Sequence, residues 1–440
     1  MRTVKLLWIG TMAVAWTIPG EGIGAVTDFT FSQPFALQVT GDAGAGPFSR
    51  ATAANASGEV VGYYRVRTST GGDSPAATSR GFTANPPYAS ATRIPGADTY
   101  SRLFPWGVNN AGVIVGSARQ TARSPLYPFY ATPSTAVPGL TGGYGEAKGV
   151  QNSLTTSPRN FGIVGYMCPS TVDCRDPAAG AGSPTAFYFN PGTDTAATSG
   201  FPNWSADASQ ANAINDQGTI AGTYTLGGHT HALRYDWNSR SGEDLNGYLQ
   251  GAISSQGNAI NAAGDVAGTA AFADFDRAFV VAAGGKSATL LDPESSFVST
   301  AAAGIADDGV VVGTMCKAAQ DCGRFDDLGD NNPQQGKNAA MLWIAGANKA
   351  FNLTAVSGAS TSGWTELSFA ESVTKLDADL TRRLYGTSAD AYLITGVGYF
   401  GAERRAFALT AIAVPEPRAT ALLAAGMLVL GLAHLVRRRG

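Results

Sequence analysis

The chain has 440 residues and a formal net charge of −3, with 44% hydrophobic and only 14% charged residues. Without residues 1–25 (two basic, one acidic) and 418–440 (four basic), 24 basic and 32 acidic residues remain, a net charge of −8. This charge argues against nucleic acid or anionic lipid as a partner, because their binding depends largely on Lys and Arg, and the apolar content excludes global disorder.

The N-terminus has the pattern of a secretory signal peptide over residues 1–25. Arg2 and Lys5 supply the positive charge, Leu6–Ile18 form an apolar core, and small residues follow around Ile23–Ala25. The small-x-small cleavage pattern is imperfect, so an uncleaved N-terminal anchor is the alternative. We expect the exported body to cover residues 26–413.

Internal repetition dominates that body. Each of seven copies contains a short apolar strand, a turn of Asn-x-x-Gly type and a β-branched strand that ends on glycine, which predicts a β-hairpin. The turn glycines of the five clearest copies are Gly58, Gly112, Gly218, Gly264 and Gly309. The final glycines are Gly62, Gly116, Gly165, Gly222, Gly268, Gly313 and Gly396, at spacings of 54, 49, 57, 46, 45 and 83 residues.

A third strand follows each hairpin, as in "HALRY" from His231, and a weaker fourth follows it, as in "EDLNGYL" from Glu243. Four short strands in most units predict an all-β fold, a β-propeller of about seven four-stranded blades. The last spacing suggests insertions at Phe325–Lys337 and Val356–Gly363, which leaves a six-bladed propeller open. A β-solenoid is a further alternative, although its coils usually need only 20–30 residues.

Closure of the propeller is predicted to use both ends of the body. The seventh copy ends at "RAFALTAIAV" from Arg405 without a fourth strand, whereas Phe29–Val39 offer a strand before the first copy. We therefore expect the N-terminal strand to complete the last blade.

The repeats resemble those of HAF-repeat proteins, in which a His-Ala-Phe strand follows an Ile-Asn-x-x-Gly-x-Val-Val-Gly hairpin. The match covers roughly residues 50–410, but only His231-Ala232-Leu233 keeps the histidine. The resemblance implies an extracellular bacterial repeat protein without an established common activity.

Four cysteines fall in two similar stretches, "MCPSTVDC" and "MCKAAQDC". An even count at matched spacing in an exported protein predicts the disulfides Cys168–Cys174 and Cys316–Cys322, and the Cys-x5-Cys spacing does not suit structural zinc. Free thiols in a catalytic or redox role are the alternative.

Candidate catalytic and metal-binding residues are few. His229 and His231 would share one face of a strand, yet no Cys, Asp or Glu adjoins them in sequence to complete a metal site. The stretch "GGDSP" from Gly71 lacks the rest of a serine-hydrolase motif. Asp326, Asp327, Asp330, Asn331 and Asn332 lack the spacing of an EF-hand. We predict no catalytic set, no metal and no cofactor.

The C-terminus combines three elements. Val414-Pro415-Glu416-Pro417 precede 18 uncharged residues, 419–436, which are long enough for a transmembrane helix, and Arg437, Arg438 and Arg439 follow. This order resembles the PEP-CTERM sorting signal of Gram-negative bacteria over residues 414–440, which implies processing by an exosortase. A plain single-pass anchor is the alternative.

These features together predict a protein that crosses the inner membrane, is held there transiently by its C-terminal helix, and then reaches the cell surface or extracellular matrix. The function that we expect is non-catalytic binding or organisation of extracellular polysaccharide. A propeller-type polysaccharide hydrolase or lyase is the alternative, and carboxylates at equivalent inner-strand positions of several blades would favour it.

Overall fold

A computed structural model describes the chain from Asp28 to Val414, apart from 41–44, 67–77, 97–98, 122–123, 133–143, 153–159, 170–173, 175–181, 195–196, 202–206, 320–321, 323–334 and 348. The predicted signal peptide 1–25 and all of the predicted sorting segment beyond Val414 lie outside the described residues. Within them, no helix is long and apolar enough to cross a membrane.

The described chain is built almost entirely from β-strands. In chain order the strands are β1 (Phe29–Phe31), β2 (Phe35–Ala36), β3 (Ala45–Ala54), β4 (Val60–Val66), β5 (Ser79–Ala84), β6 (Ala91–Arg93), β7 (Arg102–Val108), β8 (Ile114–Arg119), β9 (Tyr127–Ala131), β10 (Gly145–Val150), β11 (Ile163–Met167), β12 (Thr185–Phe189), β13 (Thr198–Ser199), β14 (Ser209–Ile214), β15 (Thr219–Leu226), β16 (His229–Asp236), β17 (Ser241–Asp244), β18 (Ser254–Ile260), β19 (Val266–Ala271), β20 (Asp276–Val281), β21 (Ala288–Leu291), β22 (Ser299–Ile305), β23 (Val310–Cys316), β24 (Asn338–Ile344), β25 (Lys349–Asn352), β26 (Trp364–Lys375), β27 (Ala391–Phe400) and β28 (Glu403–Ala413). Two short helices, α1 (Leu353–Val356) and α2 (Ala378–Tyr385), accompany them. The predicted all-β class is confirmed.

The strands form antiparallel sheets that follow the sequence repeats. We number the structural units by the repeat copy they contain: unit 1 (β3–β6), unit 2 (β7–β9), unit 3 (β10–β13), unit 4 (β14–β17), unit 5 (β18–β21), unit 6 (β22–β25) and unit 7 (β26–β28 with β1 and β2). Units 3 to 6 are separate four-stranded sheets, while one parallel bridge, Ser79 with Arg102, joins units 1 and 2. Antiparallel sheets of this kind do not fit the β-solenoid alternative, whose coils stack in parallel.

The N-terminal strands complete the last sheet, as the sequence predicts. Strand β1 pairs with β28 from Phe29 opposite Ala413, and β2 pairs with the same strand farther along. The Val414 amide donates to the Asp28 carbonyl at 2.9 Å, so the two ends of the described chain meet at one place.

The repeat-final glycines have a different role from the predicted one. Strand β4, for example, continues four residues past Gly62. In each unit the glycine faces a β-bulge in the first strand, and a Cβ there would lie only 1.9–2.1 Å from a backbone oxygen of that strand. The glycine is therefore required by the close approach of two strands inside a sheet, and it does not end the strand.

The turn glycines of the hairpins adopt left-handed backbone conformations that favour glycine. Their φ angles lie between +74° and +92° at Gly58, Gly112, Gly218, Gly264 and Gly309. In four of these turns an asparagine side chain closes the turn, as where Asn109 Oδ1 accepts the Val113 amide at 2.9 Å, whereas the Gly309 turn has Ala306 at that position.

Unit 7 departs from the repeat pattern because α2 replaces its hairpin turn and connects β26 to β27. Leu380 of α2 is buried in the cluster that unit 1 shares with unit 7. Helix α1 and a 3-10 turn at Ala359–Ser362 occupy the second predicted insertion, while most of the first lies outside the described residues. The predicted fourth strand from Glu243 is also displaced, since β17 ends at Asp244 and a 3-10 turn follows.

Apolar clusters lie between neighbouring units and hold the sheets together. Val61 and Leu103 belong to the cluster of units 1 and 2, and equivalent clusters join units 2 to 6 in succession. Phe29 of β1 contacts Phe351 of unit 6 at 5.8 Å between ring centroids, and Leu393 of unit 7 packs with unit 1. Unit 7 thus contacts both unit 6 and unit 1.

Candidate functional site

The bulged residue in the first strand of each unit defines a set that we call the bulge belt. Its members are Thr52, Trp106, Lys148, Asn212, Asn258, Ala303 and Glu371. Several of them reach the next unit: Asn212 Nδ2 donates to the Gly257 carbonyl at 2.8 Å, and Asn258 Nδ2 donates to the Ala302 carbonyl at 2.7 Å. At these positions the bulge turns the side chain toward the next unit.

One half of the bulge belt carries charge. Arg50 forms a bidentate ion pair with Glu371, with N–O distances of 3.0 and 3.1 Å, which joins unit 1 to unit 7. The Trp106 ring lies 5.8 Å from the Arg50 guanidinium carbon and 4.1 Å from Lys148 Nζ, and Lys148 also pairs with Glu146. Two cations, Arg50 and Lys148, are matched by two carboxylates, Glu371 and Glu146, so this half is electrically balanced.

The other half of the bulge belt is neutral. Units 4, 5 and 6 place Asn212, Asn258 and Ala303 at this position. The amide groups can donate and accept hydrogen bonds without adding charge.

A cavity of about 460 Å³ lies where the two halves meet. Units 5, 6, 7 and 1 line it, and its described lining is mostly small or polar, with Arg50, Asp276 and Glu371 as the ionisable side chains. Gln256 is exposed, and its side chain makes no hydrogen bond to a described residue. The cavity has the size of a small-ligand site and offers hydroxyl and amide groups for recognition.

A second set of side chains, the turn belt, links the hairpin turns of successive units. The side-chain nitrogens of Asn55, Asn109, Gln151, Asn215 and Asn261 each donate to a main-chain oxygen of the next unit, at 2.7–3.3 Å. All five side chains are buried, and Thr374 Oγ1 makes the corresponding contact from unit 7 to the Ala54 carbonyl at 2.8 Å. The belt surrounds a depression of about 300 Å³ that every unit lines. Its amides are committed to structure, which leaves the bulge belt as the better candidate site.

Both predicted disulfides are present. Cys168 bonds to Cys174 and Cys316 to Cys322, each with a Cα–Cα distance of 5.4 Å. No free cysteine remains in the chain, so the thiol alternative is wrong. Cys322 also lines the cavity of the bulge belt, which means that the second disulfide fixes part of its wall.

The two body histidines lie on β16, away from the cavity lining. His229 is exposed, whereas His231 Nδ1 is 3.0 Å from Asp244 Oδ2, a partner that sequence proximity did not indicate. Burial, followed by the Asp244 carboxylate, raises the pKa of Tyr224 beside them. Within the described residues, no group of three His, Cys, Asp or Glu side chains could hold a metal ion.

Other predicted site residues fall largely outside the described residues. These are the "GGDSP" stretch, the acidic stretch 326–332, and Pro415, Glu416, Pro417, Arg437, Arg438 and Arg439 of the predicted sorting segment. Val414 is described and lies directly after β28.

Solved structures similar to this chain have low sequence identity to it. TolB from Acinetobacter baumannii is 15% identical with a TM-score of 0.42, over 67% of this chain and 63% of TolB. An oligogalacturonate lyase from Vibrio parahaemolyticus is 11% identical with a TM-score of 0.46, over 90% of this chain and 99% of the lyase. A puromycin-hydrolyzing peptidase from Mycobacterium tuberculosis is 8% identical with a TM-score of 0.43, over 87% of this chain and 56% of the peptidase.

This chain therefore spans less than two thirds of TolB and of the peptidase. No protein-family model matches the sequence, and no curated protein does. At these identities and TM-scores, the similarities assign no activity to the chain.

Proposed function

We propose that the protein is an exported, exosortase-processed surface or matrix protein of a Gram-negative bacterium that binds extracellular polysaccharide without cleaving it. The two disulfides are typical of the oxidising extracellular or periplasmic environment. The signal-peptide pattern at 1–25 and the Pro-Glu-Pro, apolar and arginine elements at 414–440 support export and C-terminal processing.

We further propose that the body is a seven-bladed β-propeller. Each repeat copy has its own run of antiparallel strands, and among the described residues a single bridge joins the strands of units 1 and 2. The packing of unit 7 against unit 1, with β1 and β2 added to β28, is the arrangement that ring closure requires.

The observation that carries the binding proposal is the cavity between units 5, 6, 7 and 1. Its described lining combines hydroxyls, amides and one balanced ion pair with a few apolar side chains, including Phe369. Sugars present hydroxyl groups that both donate and accept, and such a mixture of donors and acceptors matches them.

A carbohydrate-cleaving activity is the second candidate, because Asp276 and Glu371 line the same cavity. Glycoside hydrolysis usually needs two carboxyl groups with separate acid and base roles. Glu371 accepts hydrogen bonds from Nε and Nη2 of the Arg50 guanidinium, and it is the one carboxylate of the bulge belt. Carboxylates do not recur at the equivalent positions of other units, which favours binding over cleavage.

The binding test uses the mature body and the extracellular polysaccharide of the source cells. We expect the protein to sediment with the polysaccharide and to release neither reducing ends nor unsaturated products. Release of either product would establish cleavage, and failure to sediment would refute polysaccharide binding.

The processing proposal is tested separately by intact-mass analysis of native protein in each cell fraction. We expect a body that lacks both residues 1–25 and the segment from Ala419 to the C-terminus. Replacing Pro415, Glu416 and Pro417 with alanine should retain the full C-terminal segment in the inner membrane. Native surface protein that still contains 419–440 would contradict processing.

A further inference from the structure

We propose that the cavity of the bulge belt is selective for uncharged sugars, and that Gln256 is a residue that contacts them. This inference rests on the proposed function and specifies its ligand class. It also implies that the cavity holds a short segment, such as a chain end or a branch, because about 460 Å³ is the size of a small-ligand site.

The charges around the cavity argue against acidic sugars. An anion site normally needs an excess of Arg, Lys or main-chain N–H donors. Here Arg50 is already engaged by Glu371 through two hydrogen bonds, and Asp276 adds a second carboxylate to the described lining. A uronate or sulfate group would enter a site without surplus positive charge, on a body whose net charge is −8.

The hydrogen-bonding groups of the cavity fit neutral hydroxyls. Asn258 is fixed by its contacts with the Ala302 carbonyl and, at 3.4 Å, with Thr269 Oγ1. Ser255 is likewise fixed, donating to Asn246 Oδ1 at 2.7 Å. Gln256 lies on the same strand, is exposed and has no described hydrogen-bond partner, so its amide can both donate to and accept from a sugar.

The neighbouring repeat supplies a matched control. Gln210 of β14 faces Thr223 across its sheet just as Gln256 of β18 faces Thr269. Unlike Gln256, Gln210 does not line the cavity. Alanine at either position removes the same amide from the same strand position, and only one of the two changes alters the cavity.

The experiment measures binding of tetrasaccharides to the mature body by isothermal titration calorimetry. The neutral probes are the tetramers of glucose, mannose, galactose and N-acetylglucosamine, and the acidic probe is tetragalacturonate. We expect at least one neutral tetramer to bind and tetragalacturonate to bind at least tenfold more weakly. The affinity for the neutral tetramer should change less than twofold between 50 and 500 mM salt, roughly the range over which exposed charges become screened.

In the same assay Gln256→Ala should lower the affinity for the neutral tetramer at least fivefold. The affinity of Gln210→Ala should stay within twofold of that of the unmodified protein. Tighter binding of tetragalacturonate, or equal effects of the two alanine variants, would overturn this inference. If the native polysaccharide sediments with the protein but no neutral tetramer binds, only the ligand class is wrong. If the polysaccharide does not sediment either, the proposed function itself fails.

Discussion

Substitution of one repeat-final glycine tests whether strand contact explains these residues. A Cβ on Gly116 would lie 2.0 Å from the Phe104 carbonyl oxygen and 2.7 Å from Phe129 Cε1, and the first neighbour is backbone that cannot rotate away. Strands β7 and β8 would have to separate by about 1 Å beside the bulge. This separation strains the packing and breaks at least one hydrogen bond between the two strands. We expect Gly116→Ala to lower the free energy of unfolding by about 3–4 kcal/mol.

The expected loss of free energy can also be expressed as a shift of the melting temperature. Unfolding entropies of about 2.1 cal/mol/K per residue give about 0.8 kcal/mol/K for a body of this length, so Tm should fall by about 4–5 °C. Gly247→Ala is the control, because a Cβ there has no neighbour within 4 Å, and it should leave stability unchanged or raise it by up to about 1 kcal/mol. Thermal unfolding followed by circular dichroism measures both. Equal melting temperatures for the two variants would refute the close-contact explanation.

Three further predictions concern the turn belt, the disulfides and pH. Asn109→Ala should lower the free energy of unfolding, measured in urea, by about 2–3 kcal/mol, because it leaves buried hydrogen-bond partners unsatisfied. Asn238→Ala removes an exposed hydrogen bond and should lower it by less than about 1 kcal/mol. Replacing Cys316 and Cys322 with serine should lower the free energy of unfolding by about 2 kcal/mol for a disulfide loop of this length. If the unmodified protein and the serine variant still differ by this amount after reduction, the loss does not come from the disulfide. Burial alone would raise the pKa of Glu243, but hydrogen bonds from Lys286, Arg234 and Tyr248 lower it to about 2. Its stabilising effect is therefore complete above its ordinary pKa of 4.5 and is lost as the pH falls through about 2, so the Tm difference between the unmodified protein and Glu243→Gln should shrink over that range.

Local patterns in the sequence predicted the features that depend on neighbouring residues. Hairpins follow from turn residues and alternating strands, and the disulfide pairing follows from spacing within one loop. The contact of Phe29–Phe31 with β28 joins residues almost 400 positions apart, yet it was predictable because the repeat pattern left the last sheet one strand short. Helix α2 was missed because it sits inside a degenerate copy where no turn motif marked an interruption.

The bulge belt was not predicted, although the sequence contains a trace of it. Each member lies between two small residues or beside proline, as in Ala147-Lys148-Gly149 and Ala302-Ala303-Gly304. The small residues are needed because the next unit approaches closely: a Cβ on Gly149 would lie 3.0 Å from Ala213 Cα, and one on Gly304 would lie 3.0 Å from the Val373 amide nitrogen. Recognising the pattern requires knowing that a bulge turns the middle residue toward its neighbour, which is information about three-dimensional packing.

The position of the cavity connects closure of the body to the proposed binding. Arg50 belongs to the first unit and Glu371 to the last, so their ion pair crosses the junction that β1 and β2 close by pairing with β28. Units 5, 6 and 7 supply most of the described cavity lining and unit 1 supplies Arg50, so docking of unit 7 on unit 1 completes the cavity. A ligand that binds the completed cavity more tightly than the incomplete one stabilises the docking of unit 7 on unit 1 by the same free energy that this docking contributes to binding. Strand β28 is the last described strand, so the cavity is completed only when nearly the whole body is present. If the chain is exported as proposed, ligand binding would therefore begin outside the inner membrane.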